Sequence, residues 1–172
     1  MTVLCATVLE SLAPIFQYPR ADYNDRVANC RAALATGAPE LLPNFDAFAA
    51  AIRALPLAHM EELFTQTFDL SPLCCLEVGW HLFGENYERG EFLVKVRQDL
   101  RNHGIPESAE LPDHLSHVLA LLARLPGEDA AVFAARFAAP ALEKMQEGLK
   151  GAGNGFENLV RTAAAAVGGG QS

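Results

Sequence analysis

Apolar residues recur along most of this chain at intervals of three and four positions. Leu115, Val118 and Leu122 form one such series, and comparable series fill residues 2–16 and 156–167. This spacing places the apolar side chains on one face of an α-helix. No run alternates apolar and polar residues over the length of a strand with turn residues on both sides. The pattern predicts an all-α protein, a single-domain bundle of roughly eight to ten helices.

Prolines, glycines and N-cap residues divide the pattern into separate helices. Ser71 is a good N-cap and Pro72 a good first helical residue, so a helix is predicted from there to Gly84. In this helix Leu73 is expected to face the core. Another helix is predicted to start at Pro112, whose fixed φ and missing N–H suit a first turn. The remaining helices are predicted at residues 2–16, 22–35, 45–55, 60–68, 88–103, 128–137, 140–149 and 156–167.

We expect one helical domain over residues 1–167, because the chain is long enough to bury a full core. Residues 168–172 contain nothing to bury and are predicted to form a flexible tail. No apolar run approaches the ~20 residues of a membrane span. The N-terminus carries Glu10 and lacks the early positive charge of a signal peptide. These features predict a cytoplasmic protein that does not insert into the membrane.

The balance of charge is acidic. The chain has 13 Lys and Arg residues against 21 Asp and Glu residues, for a formal net charge of −8. Such a chain is poorly suited to bind nucleic acid through its phosphates, so no nucleic-acid partner is expected. The charge favours a cationic partner, such as a peptide that contains arginines.

The cysteines do not form the pattern of a metal or redox site. Two are adjacent in the sequence, and none belongs to a C-x-x-C or C-x-x-H pair that would begin a zinc site. In a reducing compartment we expect free thiols that pack as small apolar groups. The residues concerned are Cys5, Cys30, Cys74 and Cys75.

Two histidines, His114 and His117, lie three positions apart. That spacing places both imidazoles on the same side of one helix, where they would supply part of a metal site. A third ligand, such as His81 or Glu110, has no signal in the sequence. No phosphate-binding loop, G-x-S-x-G or H-E-x-x-H motif is present. A metal-dependent hydrolase that uses these histidines and a carboxylate is one hypothesis, but we predict neither a catalytic residue nor a bound metal.

The sequence favours a binding surface instead. Trp80 and Phe83 would line an apolar groove, and Asp113 with His114 would form its polar rim. Aromatic anchors within a polar rim are typical of surfaces that capture a helix or a peptide. The alternative is a purely structural role, because Leu-Pro-Asp before an amphipathic run is a common helix start.

Six short segments of the chain form an ordered set whose members are weak signals alone and specific together. They are Tyr18-Pro19, Glu62 to Asp69 (ELFTQTFD), His81 to Glu85 (HLFGE) with Glu88 to Gly90 (ERG), Glu110 to Leu115 (ELPDHL), and Leu122 to Pro126 (LARLP). In order and spacing they resemble the NarJ/TorD/DmsD family of molybdoenzyme-specific chaperones. They are most similar to its NarJ branch, the delta-type assembly chaperones of respiratory nitrate reductase. Phe64 departs from the tyrosine common in the family, and residues 70–75 fall where the family varies.

The resemblance implies a TorD/NarJ-like all-helical fold and a protein that is not an enzyme. Family members bind the N-terminal segment, a twin-arginine signal or its remnant, of the catalytic subunit of a DMSO-reductase-type oxidoreductase. They hold that subunit in the cytoplasm until molybdopterin guanine dinucleotide and iron–sulfur clusters are inserted. No cofactor is expected to stay bound to the chaperone itself. The alternative is a structural subunit that is retained in a respiratory oxidoreductase complex.

The resemblance also implies a peptide-binding site, for which each residue has an expected role. Trp80 and Phe83 would contact the apolar side of the peptide. Asp113 would form a charge-assisted bond with an arginine or lysine, and His114 would tune the charge of the site near neutral pH. The full set of expected peptide-binding residues is Leu76, Trp80, Phe83, Gly84, Pro112, Asp113, His114 and His117.

Overall fold

A computed structural model describes residues 4–168 of the chain, and it is built from helices. Over these residues no strand forms, and the one element of β pairing is an isolated bridge between Glu77 and His114. The prediction of an all-α protein is confirmed. The α-helices are α1 Ala6–Leu12, α2 Tyr23–Gly37, α3 Leu42–Arg53, α4 Leu57–Phe64, α5 Val78–Phe83, α6 Tyr87–Asn102, α7 Leu115–Arg124, α8 Gly127–Phe133, α9 Ala139–Leu149 and α10 Gly155–Gly168.

Turns of other helical types extend several of these helices. A 3₁₀ turn, Ala13–Phe16, continues α1, and a second, Pro39–Leu41, leads into α3. A π turn, Thr65–Asp69, continues α4, and another, Ala134–Ala138, joins α8 to α9 without a break. The predicted helices 128–137 and 140–149 are therefore one continuous helical element.

The core is one continuous apolar cluster with a group of phenylalanines at its centre. Phe156, at the start of α10, contacts the rings of Phe48, Phe64 and Phe68 with centroids 5.2–5.6 Å apart. Aromatic pairs at such distances stabilise a core by more than the free energy of burying their surface area alone. The Phe48 contact joins α10 to α3, and α10 also packs against α9, while α1 packs against α2 and α7.

The helix predicted to begin at Ser71 begins instead at Val78. Residues 71–77 form turns, and Leu73, which was expected to face the core, is 66% exposed. Gly84 does end α5, with a φ of +59°, a conformation that favours glycine. The local start signal was overridden because residues 76–78 pair with a distant part of the chain.

The helix predicted to begin at Pro112 begins at Leu115. Its first predicted turn lies outside the helix, so Asp113 does not occupy the start of α7 as expected. At the C-terminus, Gly168 belongs to α10, and the rest of the predicted tail, residues 169–172, lies outside the described residues. Among residues 4–168, no helix has both the length and the apolar character that a membrane span requires.

Candidate functional site

Backbone hydrogen bonds join the two stretches that carry the predicted site residues. The Val78 N–H donates to the Asp113 carbonyl oxygen at 2.9 Å, and the Leu115 N–H donates to the Leu76 carbonyl oxygen at 2.7 Å. The start of α5 and the segment before α7 therefore lie side by side, although they are distant in the sequence. The site residues of the two stretches are brought together around this pairing.

The Asp113 side chain is fully buried against the first turn of α5. Its Oδ2 accepts a hydrogen bond from the Gly79 N–H at 2.9 Å. This N–H has no partner within its own helix, and the N-terminus of a helix favours negative charge. A Cβ at position 79 would lie 2.6 Å from Oδ2, so only glycine permits this approach. Asp113 thus lies against the start of α5, and not in the helix that was predicted to begin at Pro112.

Arg89, at the start of α6, is the charged partner of Asp113. One of its terminal nitrogens lies 3.5 Å from Asp113 Oδ2, and its guanidinium carbon lies 6.0 Å from the centre of the Trp80 ring. Burial raises the pKa of Asp113, while the Arg89 guanidinium and the Gly79 N–H oppose that rise. In this conformation an arginine of a peptide cannot reach Asp113 to form the expected direct bond, because Asp113 is 0% exposed.

The sequence analysis missed Arg89 and Gly79 as members of the site. Arg89 lies in one of the segments that carry the family resemblance, yet nothing local connects it with Asp113. The available signal was the aspartate itself, since a carboxylate needs a cation or N–H donors when it is buried.

His114 is the N-cap of α7. Its Nδ1 accepts hydrogen bonds from the Ser116 N–H at 3.2 Å and from the Ser116 hydroxyl at 2.8 Å. Its Nε2 lies 3.9 Å from a carboxylate oxygen of Glu110. Burial, together with His117, lowers the pKa of His114 to about 4. The imidazole is therefore neutral at pH 7 in this conformation. The expected tuning of the site's charge near neutral pH stays a prediction.

His117 closes the loop before α7. Its Nδ1–H donates to the Leu111 carbonyl oxygen at 2.8 Å, which leaves Nε2 to accept from the Ser108 hydroxyl at 2.9 Å. The rings of His114 and His117 lie 6.2 Å apart, and both are buried. Over residues 4–168, no group of three His, Cys, Asp or Glu residues is placed to hold a metal ion.

The remaining predicted residues divide into a buried layer and a solvent-facing layer. Leu76 and Pro112 are buried, whereas Trp80, Phe83 and Gly84 are partly exposed. The Trp80 Nε1–H donates to the Pro72 carbonyl oxygen at 3.1 Å, which ties the segment before α5 to the helix. The same segment carries Leu73, which is 66% exposed. We call the surface formed by Leu73, Trp80 and Phe83 the α5 face.

A cavity of about 920 Å³ lies apart from these residues. It opens between the α8–α9 element and α10, and alanines dominate its walls, with polar groups from Glu143, Gln146 and Arg161. None of the predicted peptide-binding residues lines it.

Together, fold and site define an all-α protein in which a buried aspartate, a partly buried arginine and two hydrogen-bonded histidines lie beside a partly apolar face. The chain belongs to the nitrate reductase delta subunit family, whose family model matches residues 31–154. The match includes both stretches that meet at Asp113. The resemblance inferred from the sequence is confirmed at the level of the family.

Two curated relatives are assembly proteins by name. The chain is 34% identical over 102 residues to the nitrate reductase molybdenum cofactor assembly chaperone NarJ of Escherichia coli K12. It is equally similar to the NarJ protein of Escherichia coli O157:H7. These matches cover 56% of this chain and 43% of each relative, so the matched region is less than half of the curated proteins.

Proposed function

We propose that this protein is a cytoplasmic maturation chaperone for a molybdoenzyme, with a nitrate reductase or a relative as its client. In this role it binds the catalytic subunit and supports insertion of the molybdenum cofactor, and it catalyses no reaction itself. The observation that carries the proposal is the family match over residues 31–154, joined to relatives that are named as molybdenum cofactor assembly chaperones.

The part of the client that we propose as ligand is its N-terminal segment, a twin-arginine signal or a remnant of one. The α5 face supports this proposal, because Leu73 is 66% exposed and an exposed leucine gains free energy when a ligand covers it. The formal charge of −8 supports a cationic ligand. The buried residues of the predicted set then hold the backbone of the α5 face in place. These residues are Leu76, Pro112, His114 and His117.

Calorimetric titration with N-terminal peptides of the molybdoenzyme catalytic subunits from the same organism tests the proposal. We expect one peptide to bind with a dissociation constant in the micromolar range or below, equivalent to about −8 kcal/mol. Failure of every such peptide to bind the folded protein would contradict the proposed ligand. Co-purification with a full-length catalytic subunit would then show whether the client is recognised elsewhere.

Two matched leucine substitutions test the location of the site. Leu73→Ser removes an exposed apolar side chain from the α5 face, and Leu57→Ser makes the same change at a 39% exposed leucine on α4. We expect about tenfold weaker peptide binding for Leu73→Ser, since burying a leucine contributes about 1.5–3 kcal/mol. Leu57→Ser should bind like the parent. Equal affinities for the two variants would exclude the α5 face.

The description of the family as a delta subunit favours a second candidate, a subunit that remains in the mature enzyme. The two candidates are distinguished by affinity purification of the active oxidoreductase from cells that carry a tagged copy of this chain. A chaperone is absent from the active enzyme and present with the cofactor-free catalytic subunit. A retained subunit is present in both at equal stoichiometry.

A further inference from the structure

The Asp113 carboxylate is buried with only half of its hydrogen-bonding capacity used. Oδ2 accepts from the Gly79 N–H, but Oδ1 has no hydrogen-bond partner. An ionised carboxylate has two oxygens that accept several hydrogen bonds, and a buried one without them is disfavoured. The free oxygen therefore marks unused capacity to bind a donor.

Arg89 is held by the two kinds of group that bind guanidinium ions, a carboxylate and an aromatic face. The Trp80 ring centre lies 6.0 Å from its guanidinium carbon, within the range of a cation–π contact. The carboxylate contact is loose, because 3.5 Å exceeds the roughly 2.7–2.9 Å of a charge-assisted hydrogen bond. Arg89 Nε is buried without a partner, so the pair lacks the two parallel bonds of a closed arginine–carboxylate pair.

Arg89 is the more solvent-exposed member of the pair. Its side chain is 22% exposed, whereas that of Asp113 is 0% exposed, and Arg89 is the charged partner that reaches Asp113 in the structure. Trp80, which contacts the same guanidinium, belongs to the α5 face. An arginine that approached along this face would therefore meet the same carboxylate and the same ring once Arg89 had moved aside.

We propose that Asp113 and Trp80 form a guanidinium-binding site that the chain's own Arg89 occupies in the free protein, and that an arginine of the client displaces it. The identity of the displacing arginine rests on the proposed function, but the site itself does not. Arg89 is then an internal competitor. The apparent affinity for the client is the intrinsic affinity multiplied by the fraction of molecules in which Arg89 has left the site.

An ordinary structural ion pair makes the opposite prediction. If Arg89 serves only to neutralise Asp113, its removal leaves a buried charge unpaired, which destabilises the fold and weakens any binding that depends on it. If Arg89 is a competitor, its removal creates a vacant site that accepts a guanidinium from solution.

The first test uses N-ethylguanidinium as the probe and needs no client. Arg89→Ala should unfold at a lower temperature than the parent, and millimolar N-ethylguanidinium should raise its melting temperature by about 2–4 °C. Ethylammonium at the same concentration is the control for charge, and the double variant Arg89→Ala with Asp113→Asn is the control for the site. An equal effect of N-ethylguanidinium on the parent and on Arg89→Ala would overturn the proposal.

The second test measures peptide affinity in Arg89→Ala and in Arg89→Lys, which keeps the positive charge if the alanine variant fails to fold. A lysine lacks the planar fork of the guanidinium and should compete less well. We expect Arg89→Ala to bind the client peptide about tenfold more tightly than the parent, and Arg89→Lys to show a smaller gain. Weaker binding in both variants would establish the structural role and overturn the proposal.

The two tests separate this inference from the proposed function. Rescue by N-ethylguanidinium without binding of any N-terminal peptide would support the guanidinium site and contradict the proposed ligand. Peptide binding to the parent, without rescue and without tighter binding in the Arg89 variants, would support the proposed ligand and contradict the inference.

Discussion

At the scale of single residues, the site depends on a close approach between an aspartate and a glycine. Asp113 accepts from the N–H of Gly79, and the space that a side chain would fill at position 79 is occupied by its carboxylate. A Cβ there would also lie 3.0 Å from Phe92 Cδ1, so position 79 has no room for a side chain next to either the carboxylate or the phenyl ring. The glycine is required by packing, because the carboxylate cannot reach the N–H past a methyl group.

Gly79→Ala should lower the free energy of unfolding by about 1–3 kcal/mol, since crowding a filled site forces its neighbours apart. Gly90→Ala is the matched control, because position 90 is also helical and a Cβ there would meet nothing within 4 Å. That change should stabilise the protein by about 0.5–1 kcal/mol. Urea unfolding of the two variants measures both effects. Equal stability of Gly79→Ala and the parent would show that the carboxylate and the glycine do not depend on one another.

At the scale of elements, α7 begins with a histidine that must be neutral to act as its cap. His114 Nδ1 accepts from the Ser116 N–H, and a protonated ring has no lone pair at that nitrogen. Burial lowers the pKa of His114 from its ordinary 6.5 to about 4 in the folded protein. Between these values the unfolded chain binds a proton that the folded chain does not, so acidification favours unfolding.

We expect His114 to reduce the free energy of unfolding by up to about 3 kcal/mol as the pH falls from about 6.5 to about 4. The lowered pKa of His81 acts in the same direction, and the raised pKa of Asp113 acts against it. His114→Asn keeps a side-chain acceptor at the N-cap and removes the titration. Urea unfolding at about pH 7 and about pH 4.5 should therefore show a smaller loss for His114→Asn than for the parent. An identical loss in both proteins would contradict this account.

At the scale of the whole molecule, the acidic charge adds a long-range attraction for a cationic ligand. A net charge of −8 on 172 residues raises the rate of encounter with a positive peptide, and salt screens the attraction. If the proposed client segment carries its arginines, the association rate should fall about tenfold between low salt and about 0.5 M salt, with little change in dissociation. Stopped-flow fluorescence of Trp80 would measure it. A peptide with glutamines in place of arginines should show little dependence, and equal slopes for the two peptides would contradict the prediction.

The sequence was sufficient for the fold class and for most helix positions. A repeated apolar spacing of three and four residues has only one regular structure that buries it, so the pattern determines the element type wherever it is long. It was insufficient at residues 71–77, where Ser71 and Pro72 form a good local helix start. Instead of starting a helix there, the chain forms two backbone hydrogen bonds with the segment at the start of α7. A local sequence pattern does not encode a partner so far along the chain.

The same division applies to the candidate site. By itself, the sequence determined that the protein is acidic and all-helical, and it determined the family. It also indicated the two stretches around Trp80 and Asp113 as the candidate site. Only the tertiary structure decided that Asp113 is buried, that it meets the start of α5, and that Arg89 is its partly exposed charged partner. Helical periodicity is a local property that one segment reports alone, whereas burial and charge pairing depend on segments that folding brings together.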